Sequence, residues 1–493
     1  MVYNQLRAYR TPLLCFLAFS ILYLLLKSIA TLQGTAPLPK NVVVRPERDA
    51  KRKERSQQEP NQVNLEDLLR GKEHEDWVGQ PTRDQCAPYP RYDDIEFPNP
   101  HFQLVRHGNL SYYLYGAYYD RRPRIPELVV LAMVTTCGDP YPSTYLQMWY
   151  EGETHAETLP LHQSKLAWYR EWGNLAGVAY PTVLTFQLKT QRVPQLVSVV
   201  FDACAVPANA FQVAPPPPEA PPNPQRPKRI GVCVKYLNFP NVDMSDRFVE
   251  WLELMRLLGA SKVTAYDIGH LMPNTRRTLD HYTRPEDGLL ELRPFRFPNE
   301  TAEHEQFRLM VVEVLLYNDC LYRSLYDFDF VAVVDVDEVI MPLGEHHSWQ
   351  DLLGYLQSHD VNSTARSSYC FRNVYFPQHL AVDESIPEQF HMLRHVHRQA
   401  EHLDPNHAIK CLHDTSYATV MHNHFPMQWM GAERPFDVST DLGQMQHYRD
   451  TRSLGLKMEP PPVRDDNIRR FQHQLIHNAL EVQRQLAQSR AAY

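Results

Sequence analysis

The sequence has no excess of basic residues. It contains 50 Lys and Arg against 58 Asp and Glu, which gives a formal net charge of −8. Proteins that bind a nucleic-acid backbone present a positively charged surface. Nucleic acid is therefore not an expected partner of this chain.

Closely spaced cysteine pairs are also missing. The chain has 8 cysteines, and none has the close pairing that marks a zinc site. Disulfides are then the expected use, and they form in oxidising compartments. Past the N-terminal apolar stretch the count is odd, so at least one thiol stays outside an intramolecular disulfide. These seven are Cys86, Cys137, Cys204, Cys233, Cys320, Cys370 and Cys411.

Long apolar runs are scarce, and one of them lies at the N-terminus. Residues 12–26 are short for a helix that crosses about 30 Å of hydrocarbon. Lys27 can snorkel, which extends the span to residue 32. Arg7 and Arg10 precede the span, and the positive-inside rule then places the N-terminus in the cytosol and the remaining chain in the lumen.

This pattern predicts a cytoplasmic tail over residues 1–11, a transmembrane signal anchor over 12–32 and type II topology. A cleaved signal peptide is the alternative, because Ser28 and Ala30 are small residues of the kind found at cleavage sites. Acceptor sequons for N-glycosylation fit a lumenal chain. They lie at Asn109, Asn299 and Asn362.

Composition divides the rest of the chain. Residues 33–82 are polar and poor in aromatics, which predicts an unstructured stem; their basic run at 51–55 is either solvated tether or a binding patch. Residues 83–213 carry short β-rich runs between turn residues and predict a small β-rich module. Residues 214–228 are rich in proline and predict an extended linker.

From residue 229 strand and helix patterns alternate. An apolar strand is followed by a helix with Ser245 as its N-cap and Gly259 at its C-cap, and then by further strands. Alternation of this kind predicts an α/β domain over residues 229–455, with a mostly parallel sheet covered on both faces. Residues 456–493 predict a final helix that packs onto this domain or mediates a homodimer.

Three acids follow the buried strand FVAVV at residues 330–334. In a continuing strand Asp335 and Asp337 point to the same side, and Glu338 points to the other. Burying carboxylates costs free energy unless a positive charge compensates them. Two carboxylates at a strand end suit Mn²⁺ or Mg²⁺, so we expect the compensating charge to be a divalent cation that bridges a nucleotide diphosphate.

Other interpretations of the acids remain. They fit exposed turn residues or salt-bridge partners of Lys or Arg, and a DxD pattern after an apolar strand also occurs in aspartyl-phosphate phosphatases. Val339 permits the phosphatase pattern loosely. The predicted lumenal topology and the lack of a strong second motif argue against that class.

Five ordered motifs carry a resemblance to a known family. They are GVCVKYL, EWLELMRLLGASKV, LLYNDCLYR, FVAVVDVDEVIMP and MQHYR, and they resemble the pattern of glycosyltransferase family 92 from about Arg229 to Arg449. The resemblance implies a Golgi membrane enzyme of type II with a nucleotide-sugar-binding α/β fold of the GT-A type. It also implies transfer of galactose from UDP-galactose, in β linkage with inversion, to a glycan such as the fucose of an N-glycan core.

The resemblance also assigns residues. Asp335 and Asp337 match the metal-binding DxD, and Glu338 matches the acid that follows it; these three are the predicted catalytic residues. His447 matches a late histidine that completes metal coordination. The histidines at 422 and 424 compete with His447 for that role. The predicted donor-binding residues are Asp267, Asn318, Lys410 and Arg449, with Asp319 beside Asn318 on the same helix.

An inverting transfer needs a general base, and the sequence does not rank the candidates. They are Asp383, Glu384, Glu388 and Glu401. The alternatives to a galactosyltransferase-like enzyme are a catalytically silent lumenal glycan-binding or scaffold protein with the same fold, and a lumenal nucleotide diphosphatase.

Overall fold

The computed structural model describes residues 65–74, 86–138, 141–153, 155–219, 226–299, 305–359, 365–452 and 460–491. The predicted cytoplasmic tail, signal anchor and Asn362 lie outside these residues, as does most of the predicted stem. Among the residues described, no helix combines the length and the apolar character that a membrane span needs.

The chain divides into two compact units. Of the described residues, the first unit contains 65–68 and Tyr169–Asn174. In the latter segment a 3₁₀ turn at Arg170–Trp172 brings the rings of Tyr169 and Trp172 to 4.6 Å between centroids. The second contains Leu69–Trp168 and Leu175–Tyr493. Among the described residues, the α-helices are α1 (Leu65–His74), α2 (Ser245–Leu258), α3 (Pro273–Tyr282), α4 (Glu305–Ser324), α5 (Trp349–His359), α6 (His391–Arg394) and α7 (Gln472–Ala491).

The region predicted to be β-rich forms two antiparallel sheets. The five-stranded sheet has the order β1-β2-β3-β7-β6, and the four-stranded sheet has the order β5-β4-β8-β9. The disulfide Cys86–Cys204 joins the two ends of this region. The strands are β1 (Gln103–His107), β2 (Leu110–Asp120), β3 (Glu127–Val134), β4 (Tyr145–Trp149), β5 (Glu157–Pro160), β6 (Gln163–Leu166), β7 (Tyr180–Gln187), β8 (Leu196–Val200) and β9 (Phe211–Gln212).

A seven-stranded sheet follows, in the order β12-β11-β10-β13-β18-β15-β21. Its first four strands are parallel, as predicted, and β18 joins them antiparallel to β13. A three-stranded sheet, β14-β22-β16, lies beside the acid cluster. The strands are β10 (Ile230–Phe239), β11 (Ala260–Leu271), β12 (Leu290–Pro294), β13 (Phe330–Val333), β14 (Glu338–Pro342), β15 (Ser368–Phe371), β16 (Asn373–Pro377), β17 (His397–Arg398), β18 (Lys410–Asp414), β19 (Ala418–Met421), β20 (Pro426–Trp429), β21 (Phe436–Asp437), β22 (Gly443–Arg449) and β23 (Val463–Arg464).

Both faces of the large sheet are covered, as predicted. On β13, Phe330 and Ala332 belong to one buried cluster together with α2 and α7. Val331 and Val333 belong to a second cluster, together with α4 and residues of β3. The alternation follows from the two-residue period of a strand, which sends successive side chains to opposite faces. Odd-numbered residues of β13 therefore face α4.

The second buried cluster is shared between the β-rich region and the α/β region. Val129 and Leu131 of β3 pack in it with Val311 and Leu315 of α4. The two predicted domains are therefore continuous in their packing, while their predicted boundaries stay predictions.

Helix α2 forms where the apolar period of three and four residues predicts it. It ends at Gly259, whose φ of +98° is the left-handed conformation that glycine adopts without a Cβ clash. The predicted N-cap is wrong, because Ser245 is the first helical residue. The Asp243 carboxylate accepts a hydrogen bond from the Ser245 amide at 3.0 Å, which satisfies one of the free amides at the start of the helix.

Three disulfides account for six of the seven cysteines that follow the apolar stretch. They are Cys86–Cys204, Cys233–Cys320 and Cys370–Cys411, while Cys137 is buried. Cys233–Cys320 joins β10 to α4, and Cys370–Cys411 joins the neighbouring strands β15 and β18.

The C-terminal helix α7 packs onto the α/β region, which confirms one of the two predictions for it. Leu475 is 0% exposed, and it lies in the buried cluster that contains α2 and β10. Leu480, on the same helix, is 48% exposed. The apolar stripe of the tail therefore belongs to the core.

These two leucines give a matched test of the packing. Leu475→Ala should lower the free energy of unfolding by about 2–5 kcal/mol, because it removes buried methyl groups and leaves a cavity. Leu480→Ala should change it by about 0.5 kcal/mol or less. Urea unfolding of both variants measures the difference, and light scattering would show whether Leu480→Ala weakens a dimer. Equal losses of stability would contradict the packing.

Candidate active site

Asp335, Asp337 and Glu338 form the acid cluster, and they lie at the turn between β13 and β14, which we call the acid turn. β13 ends at Val333, and the Glu338 amide donates a hydrogen bond to the Asp335 carbonyl at 3.0 Å. The prediction that a continuing strand presents Asp335 and Asp337 on one side is therefore wrong. The turn instead lets Asp335, Asp337 and Glu338 each meet a different partner.

Glu338 is buried inside the turn. Its Oε2 accepts a hydrogen bond from the Asp335 amide at 2.8 Å and forms an ion pair with Lys410 Nζ at 2.8 Å. The side chain of Glu338 is 2% exposed, and that of Lys410 is 0% exposed. Lys410 also donates a hydrogen bond to Asn423. Glu338 therefore holds the shape of the turn and has no exposed surface with which to meet a substrate.

Asp335 meets a second lysine. Lys235 Nζ of β10 lies 3.2 Å from Asp335 Oδ2 and 3.2 Å from Glu313 Oε1 of α4. Burial pushes the pKa of Asp335 upward, but the positive charges of Lys235 and Lys410 outweigh burial and lower this pKa to about 2. Burial raises the pKa of Glu313. Two lysines thus supply positive charge beside Asp335, where the sequence predicts a divalent cation, and the cation stays a prediction.

Sequence analysis missed Lys235 and Glu313. Each has a signal in the sequence: Lys235 is the one charged residue of the apolar strand IGVCVKYLNF, and Glu313 is an acid between Val312 and Val314. A charge within a buried period needs a partner. The partner of each residue lies far away in the sequence, so the local hydrophobic periodicity does not identify it.

Asp337 meets His447. The pair consists of His447 Nε2 and Asp337 Oδ2 at 3.4 Å, and His447 Nδ1 lies 3.6 Å from Glu338 Oε1. β22 places His447 directly opposite Glu338 of β14 and beside Tyr375 of β16. The structure therefore brings His447 to the acid turn across 110 residues of chain.

The residues at this turn are chemically suited to a hard divalent cation. Asp335 Oδ1 is buried and has no hydrogen-bond partner among the described residues, and the Asp337 side chain is 37% exposed. Carboxylate oxygens and imidazole nitrogen are ligands of Mn²⁺. Within the part of the chain that is described, no group of three or more His, Cys, Asp and Glu side chains is arranged to hold a metal ion.

The competing histidines lie on the hairpin of β19 and β20. His424 Nδ1 is 3.2 Å from the Ile409 carbonyl, and burial lowers the pKa of His424 well below its ordinary value. Burial likewise lowers the pKa of His422, to about 3. Both rings are therefore neutral. The geometry favours His447, because its imidazole contacts an acid of the turn.

The two predicted phosphate-binding residues, Lys410 and Arg449, have different surroundings in the structure. Lys410 has no exposed surface, and its ammonium group is bound by Glu338 and Asn423, so the prediction that it holds a diphosphate is wrong. Arg449 is half-buried at the end of β22, two residues beyond His447 and hence on the same side of that strand. Arg449 stays a predicted donor-binding residue.

Asp267 and Asn318 have structural partners. Asp267 Oδ1 accepts a hydrogen bond from the Gly269 amide at 2.8 Å, and Oδ2 pairs with Arg276. Asn318 is 1% exposed; its amide group donates to the Val314 and Met421 carbonyls and accepts from the Met421 amide. All of the polar atoms of Asn318 are used, so the prediction that it contacts a donor is wrong. Asp267 caps a turn through its hydrogen bond with the Gly269 amide.

Asp319, next along the same helix, ties α4 to two sheets. It is 0% exposed and accepts hydrogen bonds from Tyr266 of β11 at 2.6 Å and from Tyr118 of β2. Arg323 Nε lies 2.9 Å from Asp319 Oδ1. Burial pushes the pKa of Asp319 upward, but the charge of Arg323 outweighs it and the net pKa is lowered. This network fixes the helix that carries Glu313.

The candidates for a general base also separate. Asp383 accepts hydrogen bonds from the Ser385 hydroxyl and from Arg469, and these contacts lower the pKa of Asp383. Glu384, Glu388 and Glu401 are exposed. Within the described residues, none of these four acids has a contact with the acid turn. The general base therefore stays unassigned.

The predicted glycosylation sites differ in their surroundings. Asn109 is exposed in the turn between β1 and β2. Asn299 is half-buried at the end of a described range, and the rest of its sequon lies outside the described residues. Both stay predictions.

The buried pair of Lys410 and Glu338 predicts an uneven effect of substitution. Lys410→Met should cost about 3–5 kcal/mol of unfolding free energy, because it leaves the Glu338 carboxylate buried without a charge partner. Adding Glu338→Gln should recover much of that loss, since the neutral amide can still accept the hydrogen bond from the Asp335 backbone amide. Urea unfolding measures both, with Lys189→Met, at a 66% exposed lysine, as the control. A double variant no more stable than the single one would refute this arrangement.

Comparison with solved structures finds distant likenesses. Glucosyl-3-phosphoglycerate synthase from Mycobacterium tuberculosis, in complex with Mn²⁺, uridine diphosphate and glucosyl-3-phosphoglycerate, is 11% identical over 30% of this chain and 44% of its own, with a TM-score of 0.17. The galactosyltransferase LgtC in complex with donor and acceptor sugar analogues is 11% identical over 38% of this chain and 57% of its own, with a TM-score of 0.19. The chain thus spans about half of the length of these proteins, and at such scores the likeness supports no conclusion about chemistry. Comparison with curated proteins gives no match.

The family comparison is broader. The sequence profile of glycosyltransferase family 92 matches residues 228–484, which is more than half of the 493 residues. The match includes the acid turn and its partners Lys235, Glu313, Lys410 and His447. The protein is a mixed α/β chain, and it belongs to glycosyltransferase family 92.

Proposed function

We propose that this protein transfers a sugar, in particular galactose from UDP-galactose, onto a glycan acceptor with inversion of the anomeric centre. The observation that carries the proposal is the acid turn of a family 92 chain, which lies at the carboxyl end of a parallel strand. Its Asp335 Oδ1 is buried and has no hydrogen-bond partner within the described part of the chain. Ligands of open α/β sheets bind at that edge. The fold we propose is the nucleotide-sugar-binding GT-A type.

We propose different roles for the residues of the site. Asp335 and Asp337, with His447, are the groups that would hold a divalent cation such as Mn²⁺. When bound, such a cation offsets the negative charge that develops on a departing nucleoside diphosphate. The buried ion pair of Glu338 and Lys410 stabilises the turn. Arg449, two residues beyond His447 on β22, is the residue that we propose to bind phosphate oxygens.

A direct displacement fits this arrangement. The acceptor hydroxyl attacks the anomeric carbon as the bond to the diphosphate oxygen breaks, and the hydroxyl proton passes to a base. The fucose of an N-glycan core is the acceptor that we propose to test first. The type II anchor over residues 12–32, a Golgi membrane location with the α/β region in the lumen, and N-glycosylation at Asn109, Asn299 and Asn362 belong to the same proposal.

The reaction is tested with purified full-length protein in detergent, Mn²⁺, a panel of UDP-sugars and fucosylated N-glycans. We expect a mass increment of one hexose on the glycan with UDP-galactose. Transfer from another UDP-sugar would retain the transferase and replace the donor. No increment with any donor would reject transferase activity, and release of sugar without an acceptor would point to a nucleotide diphosphatase.

The acid turn makes a second prediction for the same assay. Asp335→Asn and Asp337→Asn should each lower kcat/KM by about 10²–10³-fold, because each removes charge that binds the cation at the leaving group. Asp466→Asn, at an aspartate that is 56% exposed and paired with Arg464, should leave it unchanged. Binding of Mn²⁺, followed by calorimetry, should weaken in the first two variants and stay the same in the third. Full activity of both Asp335→Asn and Asp337→Asn would exclude the turn as the site.

A further inference from the structure

Lys235 stands out among the cations around the acid turn. Lys410 is 0% exposed and enclosed, whereas the side chain of Lys235 is 30% exposed and reaches the same cluster from another strand. Its Nζ lies 3.2 Å from both Asp335 Oδ2 and Glu313 Oε1. The side chain of Lys235 is therefore the more accessible of the two lysines in this cluster.

The backbone of β10 directs Lys235 to the site. β10 pairs with β13 up to Cys233 opposite Val333, and it then continues past the end of β13. On its other side, the register with β11 advances from Cys233 opposite Thr264 to Tyr236 opposite Tyr266, so β10 has one extra residue at this point. Bulges of this kind are common beside active sites, where they redirect a side chain. Lys235 lies within the bulge.

Ligand binding would change the electrostatic surroundings of Lys235. Before binding, two carboxyl groups hold its ammonium. A divalent cation on Asp335 would lie within a few ångströms of the ammonium and repel it. The diphosphate that accompanies the cation would add anionic oxygens at the same place. The flexible four-carbon stem of a lysine allows the ammonium to move between such partners.

We propose that Lys235 is a donor-binding residue, whose ammonium group rests on Asp335 and Glu313 before the donor arrives and then binds the diphosphate of a nucleotide sugar. The inference rests on the proposed function, since it takes that donor as the ligand. It assigns to Lys235 the role that sequence analysis gave to Lys410. Glu313 serves as the resting partner that keeps the ammonium near the site.

The test compares the binding of UDP and uridine to full-length protein by equilibrium dialysis in the presence of Mn²⁺. Lys235→Met should weaken UDP binding about tenfold or more, because a charge-assisted contact to phosphate is lost. Uridine binding should not change, since uridine carries no phosphate. Lys235→Arg should keep most of the UDP affinity, and Lys189→Met is the matched control at a lysine that is 66% exposed.

A second variant separates this role from a structural one. Glu313→Gln loosens the resting contact, so UDP should bind as tightly as in the wild type or about twofold more tightly. A triad that serves only to hold the fold predicts weaker UDP binding in both Lys235→Met and Glu313→Gln. Weaker UDP binding in Glu313→Gln would overturn the proposal even where Lys235→Met does not fold, because the glutamine is a hydrogen-bonding side chain of similar size.

The outcomes distinguish the two proposals. Equal UDP affinity in the wild type and Lys235→Met, or equal losses of UDP and uridine, would overturn the role of Lys235 and leave the transferase intact. A wild-type protein that binds no UDP would overturn both. A loss of UDP affinity confined to Lys235→Met supports the inference.

Discussion

A carboxylate in an apolar interior stays ionised only beside a fixed positive charge, and this constraint organises the site. Glu338 is 2% exposed, and Lys410, which is 0% exposed, supplies its partner at 2.8 Å. The same Glu338 oxygen accepts a hydrogen bond from the Asp335 amide, so the ion pair determines the path of the turn. Two buried charges cost desolvation free energy that their attraction offsets only with good geometry. The ion pair therefore stabilises this path of the turn, because a path that separated the two groups would leave a buried charge unpaired.

The arrangement of strands makes this ion pair possible. β13 lies between β10 on one side and β18 on the other, so both neighbours can supply a lysine to the acids that follow β13. Lys410 is the first residue of β18, and Lys235 lies in the bulge of β10. One lysine is enclosed and holds the turn, whereas the other remains accessible to solvent. The difference in exposure gives the two lysines different chemical roles.

Local patterns in the sequence predict the local structure, and they fail where a distant residue decides. The period of three and four predicts α2 and α7, and the apolar runs predict β10, β11 and β13, because burial alone fixes these elements. The turn at Asp335 was predicted as strand, since nothing local shows that Glu338 has a lysine 72 residues away. Asn318 was assigned to a ligand although its partner is the backbone of β19. Polar residues in apolar helices indicate a required contact without identifying it.

The β-rich region also bears on the site, although it contributes none of the acids. Its strand β2 supplies Tyr118 to the buried Asp319, and β3 packs against the same helix, α4. Asp319 lies six residues, less than two turns of helix, beyond Glu313. A buried carboxylate bound by two tyrosine hydroxyls and Arg323 resists sliding or rotation of the helix, because either motion would leave the charge without partners. The position of Glu313, and through it the resting place of the Lys235 ammonium, therefore depends on a sheet that precedes the matched family region in the chain.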